Sequence, residues 1–204
     1  MKLTQRGYTL PELLVVIVVL VILSTIAVVG WESVSAWSRD RAREQDTQQW
    51  VSTFDLYKSR FVVYPVMPTA DGLPATFRCL GTPASFPNGK CGQFNSTDIT
   101  RGIPASASSG LEAEITKVGK MPVNSNEKIR NLLTGPVLRV VKSTSGTTTT
   151  VDAWFINFFE NGCPKNFQPS SSHPGVADAI VAGLPAGTMV HTCIIKKNFQ
   201  ITSS

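Results

Sequence analysis

The sequence predicts an α+β protein in which one long N-terminal helix packs on a small antiparallel sheet. Three observations predict it. Residues 13–29 form an apolar run, residues 31–60 contain no proline or glycine, and two later stretches rich in β-branched and aromatic residues flank a Ser-Gly turn. A long helix packed on a small antiparallel sheet is an α+β arrangement.

The composition separates one unusual block from an ordinary remainder. The chain has 204 residues, of which 42% are apolar and 16% are charged. This length fits one domain plus an appendage, and the composition does not resemble that of a disordered, highly charged chain. Residues 13–29 read LLVVIVVLVILSTIAVV, and all but two of them are apolar. One block is therefore membrane-like, and the rest is globular in character.

The apolar block has the length of a membrane-spanning helix. No charge lies between Glu12 and Glu32, and as a helix this gap is about 28 Å long, close to the roughly 30 Å hydrocarbon layer of a bilayer. A buried core helix is the alternative, but it would carry polar residues every three or four positions, and Leu13 to Leu23 has none. A cleaved secretory signal is disfavoured, because the run is too long and no A-x-A-like site follows it.

The charges on either side of the block do not orient it. Lys2 and Arg6 precede the block, whereas Arg39, Arg41 and Arg43 follow it within reach of the membrane. The count of positive residues therefore does not favour a cytoplasmic N-terminus.

The cysteines supply the orientation. The chain has four cysteines, for which three pairings are possible, and we expect sequential pairing because each pair then closes a loop within one region: Cys79 with Cys91 and Cys163 with Cys193. A metal site is the less favoured alternative, since there is no C-x-x-C and the two histidines lack ligand spacing. Disulfides persist outside the cytosol, so the C-terminal domain is predicted to lie outside and the N-terminus in the cytoplasm.

The residues just before the apolar block carry a family resemblance. The string from Arg6 to Leu14 reads R-G-Y-T-L-P-E-L-L. It resembles the class III leader of type IV pilins and type II secretion pseudopilins, which is short and basic, ends in Gly, and is followed by an aromatic residue and by a Glu five residues after the cut. Gly7 matches the last leader residue, Tyr8 the new N-terminus and Glu12 that glutamate. Tyr8 replaces the usual Phe but keeps the aromatic ring.

Each part of this string has a physical role. Gly7 lets a peptidase approach the backbone closely, and Pro11 fits the first helical turn, where a missing N–H costs little. A carboxylate at the edge of an apolar segment is expensive unless it is paired. In the family the new N-terminus is methylated and stays cationic, so the resemblance implies that Glu12 faces the Tyr8 ammonium of a neighbouring subunit. From the residues alone, Glu12 could instead mark the start of the span in the headgroup layer.

The sequence departs from the family inside the first helix. The family often has Gly and Pro at the fourteenth and twenty-second residues of the mature chain, where this sequence has Val21 and Val29. If the helix opens on assembly, Ser24, Thr25 and Gly30 are the weaker candidates for the place where it does so.

The helix is predicted to continue to residue 64, before the prolines at 65 and 68. The mixed-sign stretch 39–46 is typical of a solvated helix face, and in a filament it could instead supply subunit contacts. Four aromatic residues then follow at 3.6-residue spacing and predict a stripe that packs on a sheet: Trp50, Phe54, Tyr57 and Phe61.

The later chain is predicted to be β-rich. Residues 65–128 read as a long loop with short elements, and strands are predicted over 136–143, 148–159, 189–196 and, shorter, 199–202, the first two joined as a hairpin. The predicted organisation is a leader over 1–7, a transmembrane and filament-core helix over 8–31, an amphipathic continuation over 32–64, and an extracellular domain over 65–204.

The resemblance implies a structural subunit of a type IV pilus, a class of filament associated with adhesion and twitching motility. The precursor would cross the inner membrane once, be cleaved after Gly7, be N-methylated at Tyr8 and polymerise through its N-terminal helix into a homo-oligomeric helical filament outside the cell. The implied partners are a prepilin peptidase, an inner-membrane assembly platform with its ATPase, and membrane lipid before assembly. A minor pilin or a type II secretion pseudopilin is the alternative.

Two other classes are less well supported. For a membrane-anchored extracellular enzyme, the sequence contains no nucleophile elbow, no H-E-x-x-H and no carboxylate pair flanked by histidine. For a DNA-binding tip subunit, loss of Lys2 and Arg6 with the leader lowers the net charge from +5 to +3, and Lys196-Lys197 is the only adjacent cationic pair after residue 60. We therefore predict no catalytic residues, no metal and no cofactor.

Overall fold

In the computed structural model of this protein, the described residues are 9–61, 65, 77–86, 89–93, 103–104, 109–125, 129, 133–145, 148–169 and 190–202. The chain divides into two compact units, Met1–Ser38 and Arg39–Ser204. An N-terminal helix is followed by a small antiparallel sheet, so the α+β fold class is confirmed, and the arrangement is consistent with the pilin fold.

Helix α1 runs without interruption over Leu10–Phe61, a length of 52 residues. At the two hydroxyl residues of the apolar block, Ser24 Oγ donates to the Leu20 carbonyl and Thr25 Oγ1 to the Ile22 carbonyl, both at 2.7 Å. The helix thus satisfies these hydroxyls internally and stays helical at both positions. It ends at Phe61, and residues 62–64 of the predicted helix lie outside the described residues.

The first part of α1 exposes its apolar side chains. The large apolar residues between Leu10 and Ile26 are each 48–79% exposed. Over the residues that the structure describes, no helix combines the length and apolarity needed to cross a membrane. Tyr8 and the side chains of residues 27–30, which belong to the predicted span 8–31, lie outside those residues.

The main sheet has five antiparallel strands in the order β1-β5-β6-β8-β7. They are β1 (Phe77–Cys79), β5 (Val137–Ser145), β6 (Thr148–Phe159), β7 (Gln168–Pro169) and β8 (His191–Thr202). The predicted hairpin is confirmed as β5 and β6, paired from Val137 with Ile156 to Ser145 with Thr148. The prediction of a separate strand over 199–202 is wrong, because β8 is one strand that pairs with β6 from His191 to Thr202.

Strand β8 continues through two adjacent lysines because each of them has a carboxylate partner. Successive side chains of a strand point to opposite faces. Lys196 Nζ lies 3.1 Å from Asp152 Oδ2 on β6, and Lys197 Nζ lies 2.8 Å from Asp55 Oδ2 on α1. Each charge therefore meets a carboxylate on its own face of the sheet.

The shorter elements form a second sheet and a second helix. Strand β2 (Lys90–Gln93) pairs with β3 (Ile103–Pro104) and with β4 (Leu133–Thr134). Helix α2 covers Ser109–Ile115. Apart from β4, these elements fall in the region that the sequence predicted as a long loop with short elements.

The large sheet carries a buried apolar cluster on each face. On the helix side, Phe54 meets Phe155 edge to face, with ring centroids 5.1 Å apart, in a cluster completed by Trp50, Leu80, Leu111, Ile115, Leu138 and Ala153. The other side packs against the small sheet through a second cluster that includes Ile129, Leu133, Val137, Ile156, Phe158 and Ile194. The sheet is thus held between helix and small sheet.

The predicted aromatic stripe of α1 faces this core for most of its length. Trp50, Phe54 and Tyr57 are at most 4% exposed, and the Trp50 indole N–H donates to Asn124 Oδ1 at 2.9 Å. Phe61, in contrast, is 39% exposed and contacts Tyr57, with ring centroids 4.6 Å apart. The core-packing interpretation is therefore confirmed for three residues and wrong for Phe61, which ends the helix beyond the core.

Candidate functional site

The start of α1 fixes the carboxylate of Glu12. The backbone N–H and the Oγ1 hydroxyl of Thr9 both donate to Glu12 Oε2, at 2.8 and 2.7 Å. Because the helix begins at Leu10, Thr9 is the N-cap and Glu12 the third helical residue. A glutamate there that reaches back to the N-cap N–H is one half of a capping box.

This cap is a role of Glu12 that the sequence reasoning missed. The signal is present as Thr-x-x-Glu directly before an apolar run, whereas the family resemblance assigns Glu12 only to subunit assembly. Pro11 lies in the first helical turn, where its lack of an N–H costs little. Gly7 and Tyr8 lie outside the described residues, so cleavage and methylation there stay predictions.

A second polar site binds the middle of α1 to the end of β6. We call it the junction cluster, and it consists of Arg39, Asp40, Arg43, Glu160 and Asn161. The Asp40 carboxylate accepts hydrogen bonds at 2.9 Å from the backbone N–H groups of Glu160 and Asn161 and from Asn161 Nδ2. Asp40 therefore holds the turn that follows β6.

Two arginines complete the junction cluster. Arg43 Nη1 donates to Asp40 Oδ1 at 2.7 Å and to Glu160 Oε1 at 3.1 Å, and the residue is only 3% exposed. Arg39 binds Glu160 through Nε and Nη2, both at 3.0 Å, which is the two-point geometry that guanidinium groups offer to carboxylates. The hydrogen bonds from Arg39, followed by the one from Arg43, hold the pKa of Glu160 below its ordinary value, although burial opposes the shift.

The same face of the helix makes two further polar contacts. Asn157, which is 1% exposed, donates from Nδ2 to the Arg43 carbonyl and to Thr47 Oγ1, both at 3.0 Å. Asp46, also buried, accepts from the backbone N–H and the hydroxyl of Ser125 at 2.9 and 2.6 Å. These hydrogen bonds therefore join the polar face of the helix to the sheet through Asn157 and to a neighbouring loop through Ser125.

These contacts correct the interpretation of residues 39–46 as a solvated face. Arg41 is exposed as expected, but Asp40, Arg43 and Asp46 are buried. The sequence contains a signal for this burial. The aromatic stripe at 50, 54 and 57 has alternating four- and three-residue spacing, and residues 40, 43 and 47 continue that spacing toward the N-terminus. One helix face thus continues from an apolar to a polar contact.

The cysteines form the two sequential disulfides. Cys79 and Cys91 are joined with Sγ atoms 2.10 Å apart, and Cys163 and Cys193 with Sγ atoms 1.99 Å apart. The first connects β1 of the large sheet to β2 of the small one, and the second connects the segment after β6 to β8. Among the described residues, no three His, Cys, Asp or Glu side chains are grouped so that they could hold a metal ion. His191 is exposed at the start of β8, and His173 lies outside the described residues.

Comparison with known proteins bears on the N-terminal segment. Residues 2–28 match a family model described as the prokaryotic N-terminal methylation motif. No curated protein and no solved structure matches the chain. The matched segment contains Gly7, Tyr8 and Glu12, so the class III prepilin leader of type IV pilins and pseudopilins is confirmed. This motif supports a type IV pilin or pseudopilin in general, and thereby a family of structural rather than enzymatic proteins.

Proposed function

We propose that this protein is the structural subunit of a type IV pilus. It is inserted in the inner membrane as a single-pass precursor with a cytoplasmic N-terminus, cleaved after Gly7, N-methylated at Tyr8 and polymerised through its N-terminal helix. The observation that carries the proposal is the methylation motif at residues 2–28, which includes the start of a helix with exposed apolar side chains. An apolar surface of this extent needs a cover of lipid or of other protein copies.

In the proposed assembly, the apolar helix moves from contact with lipid to contact with other copies of the chain. Before assembly, lipid covers residues 8–31, and in the filament the same helices of neighbouring copies do so. Glu12 and the ammonium created at Tyr8 would then neutralise each other in the filament core, because neither charge is tolerated there alone. A prepilin peptidase, an assembly platform and its ATPase would perform the chemistry and the mechanical work.

The junction cluster supports the proposed domain organisation. Residues 39–61 of α1 are fixed to the sheet by a buried aromatic stripe and by the buried charges of Asp40 and Arg43. In a filament held together by N-terminal helices, this contact would keep each globular domain, residues 65–204, on its own helix. Two disulfides suit a domain that works outside the cell.

The leader assignment is tested by Gly7→Val. We expect the variant to stay at precursor length in the membrane fraction and to yield no sheared filaments, because a β-branched residue obstructs the close approach of the peptidase to the backbone. Immunoblots of membranes, together with intact mass spectrometry of sheared filaments, measure the outcome. In the wild type, the mass should begin at N-methylated Tyr8 and include four oxidised cysteines.

Gly119→Val is the matched control, because nothing lies within 4 Å of a Cβ atom added at Gly119. It should be cleaved and assembled normally. Mature-length filaments from Gly7→Val would contradict the leader assignment. A chain that is cleaved and methylated, is absent from sheared filaments and is needed for secretion of an exported protein would assign the protein to a type II secretion system.

A further inference from the structure

We propose that Trp31 and Trp37 lie in the headgroup layer on the outer side of the membrane and fix the depth of the precursor in the bilayer. This inference rests on the proposed function, because it requires the precursor to be inserted through its N-terminal helix. It adds to that function a lipid-contacting surface beyond the apolar block.

The two tryptophans are unusually exposed for such large rings. Within the unit Met1–Ser38, Trp31 is 75% exposed and Trp37 is 58% exposed, with Val34 between them at 64%. A spacing of three residues places the three side chains within one arc of about 120° on the helix surface. Trp50, in comparison, is 1% exposed in the core. Exposed rings on one arc form a surface that water covers poorly.

Helix length places this arc at the edge of a bilayer. With a rise of about 1.5 Å per residue, Trp31 lies about 28 Å and Trp37 about 38 Å along the axis from Glu12. The hydrocarbon layer is about 30 Å thick, and each headgroup layer adds roughly 5–8 Å. If Glu12 marks the inner boundary, Trp31 lies at the outer hydrocarbon boundary and Trp37 at the outer edge of the headgroup layer. A tilt of about 20° shortens both distances by only a few per cent.

The chemistry of tryptophan also favours the boundary between hydrocarbon and headgroups. An indole ring combines a large apolar body with one N–H donor, and tryptophan is for this reason enriched where hydrocarbon meets headgroups. One ring at each edge of the headgroup layer would resist movement of the helix in either direction. The occupant of this arc in the precursor is therefore lipid, with the part of the acyl chains next to the headgroups at Trp31 and the headgroups at Trp37.

Depth-dependent fluorescence quenching tests the inference on the full-length precursor. The chain is reconstituted at low protein-to-lipid ratio in phosphatidylcholine vesicles that carry bromine either near the headgroup or near the end of the acyl chain. We expect the shallow bromine to quench tryptophan fluorescence more strongly than the deep one. In the double variant Trp31→Phe with Trp37→Phe, this quenching should be lost almost completely. Trp154→Phe, which removes a half-buried ring of β6, should leave the quenched signal unchanged.

Flotation of the vesicles separates the possible failures. A chain that does not float with the vesicles contradicts the membrane precursor, and thus the proposed function itself. A chain that floats but is quenched most by deep bromine, or equally with and without the two tryptophans, overturns only this inference. Protection from both bromines that disappears when the protein is diluted in lipid assigns the arc to a second copy of the chain, and it overturns the inference as well.

Discussion

Arg43 is central to the contact between α1 and the sheet. Its Nη1 bonds both Asp40 and Glu160, and its backbone carbonyl accepts from Asn157. A buried charged group is tolerated only while its partners are present, and the loss of one partner leaves the others uncompensated. Removal of the guanidinium would leave the carboxylates of Asp40 on α1 and of Glu160 after β6 close to each other without Arg43 between them.

We therefore expect Arg43→Met to lower the free energy of unfolding by about 3 kcal/mol, at the low end for a broken buried pair because Glu160 is partly exposed. Arg41→Met is the matched control, since Arg41 is exposed and its pair with Glu44 lies on the surface. Such pairs contribute about 0.5 kcal/mol. Chemical denaturation of the detergent-solubilised chain, followed by near-ultraviolet circular dichroism, measures both. Equal losses would contradict a dominant role of the buried cluster.

The two disulfides join different pairs of secondary-structure segments. Cys79–Cys91 joins the large sheet to the small one, and Cys163–Cys193 joins the segment after β6 to β8. Strand β8 follows a long connection from β6, so its pairing closes a large loop. A cross-link that closes a larger loop removes more conformational entropy from the unfolded chain.

The two disulfides are therefore expected to differ in their contribution. The sequence separations are 30 and 12 residues, which correspond to about 4 kcal/mol for Cys163–Cys193 and about 3 kcal/mol for Cys79–Cys91. Replacing both cysteines of each pair by alanine, followed by denaturation under identical conditions, measures the difference. A larger loss from the shorter loop would show that native packing, rather than chain entropy, dominates.

The stability of the whole molecule at acidic pH depends on carboxyl groups whose pKa values are shifted in opposite directions. Hydrogen bonds from Arg39 and Arg43 lower the pKa of Glu160, and those from Lys117 and Tyr57 lower the pKa of Glu114. Burial raises the pKa of Glu112, so its contribution has the opposite sign. The net curve is a sum of these effects, and a single substitution is needed to isolate one of them.

Glu160→Gln isolates the junction cluster. Since the folded pKa of Glu160 lies below the unfolded value near 4.5, its ionised form stabilises the fold above that pH, and the stabilisation is lost as pH falls through the folded pKa. We expect the free energy of unfolding of the wild type to decline more steeply below pH 4.5 than that of Glu160→Gln. Denaturation curves between neutral pH and pH 3 measure this, and parallel curves would contradict the role of Glu160.

The stability at alkaline pH is an independent probe of the contact between α1 and α2. Burial and the hydrogen bond to Glu114 raise the pKa of Tyr57 to about 12. The protonated phenol therefore stabilises the fold fully below pH 10, and this contribution is lost as pH rises through 12. Tyr57→Phe should remove this part of the alkaline decline, which denaturation at pH 9 and pH 11 would detect. An unchanged decline would assign it to other groups.

Features that depend only on neighbours along the chain can be predicted from the sequence. The leader string around Gly7 and Glu12, the uninterrupted helix, the aromatic spacing from Trp50 to Tyr57 and the β5–β6 hairpin all follow from local order or short periods. Four cysteines allow three pairings, and their positions along the chain favour the sequential one. Each of these patterns can be recognised without knowledge of where the rest of the chain lies.

Which charges are buried can be seen only in the tertiary structure. Asp40 and Arg43 look like surface residues until they meet Glu160 and Asn161, which lie more than one hundred positions away in the sequence. The predicted strands 189–196 and 199–202 form one strand in the fold, in which Lys196 and Lys197 each meet a carboxylate on its own face of the sheet. The physical reason is that the cost of burying a charge depends on the partner that folding brings to it, and no local pattern records that partner.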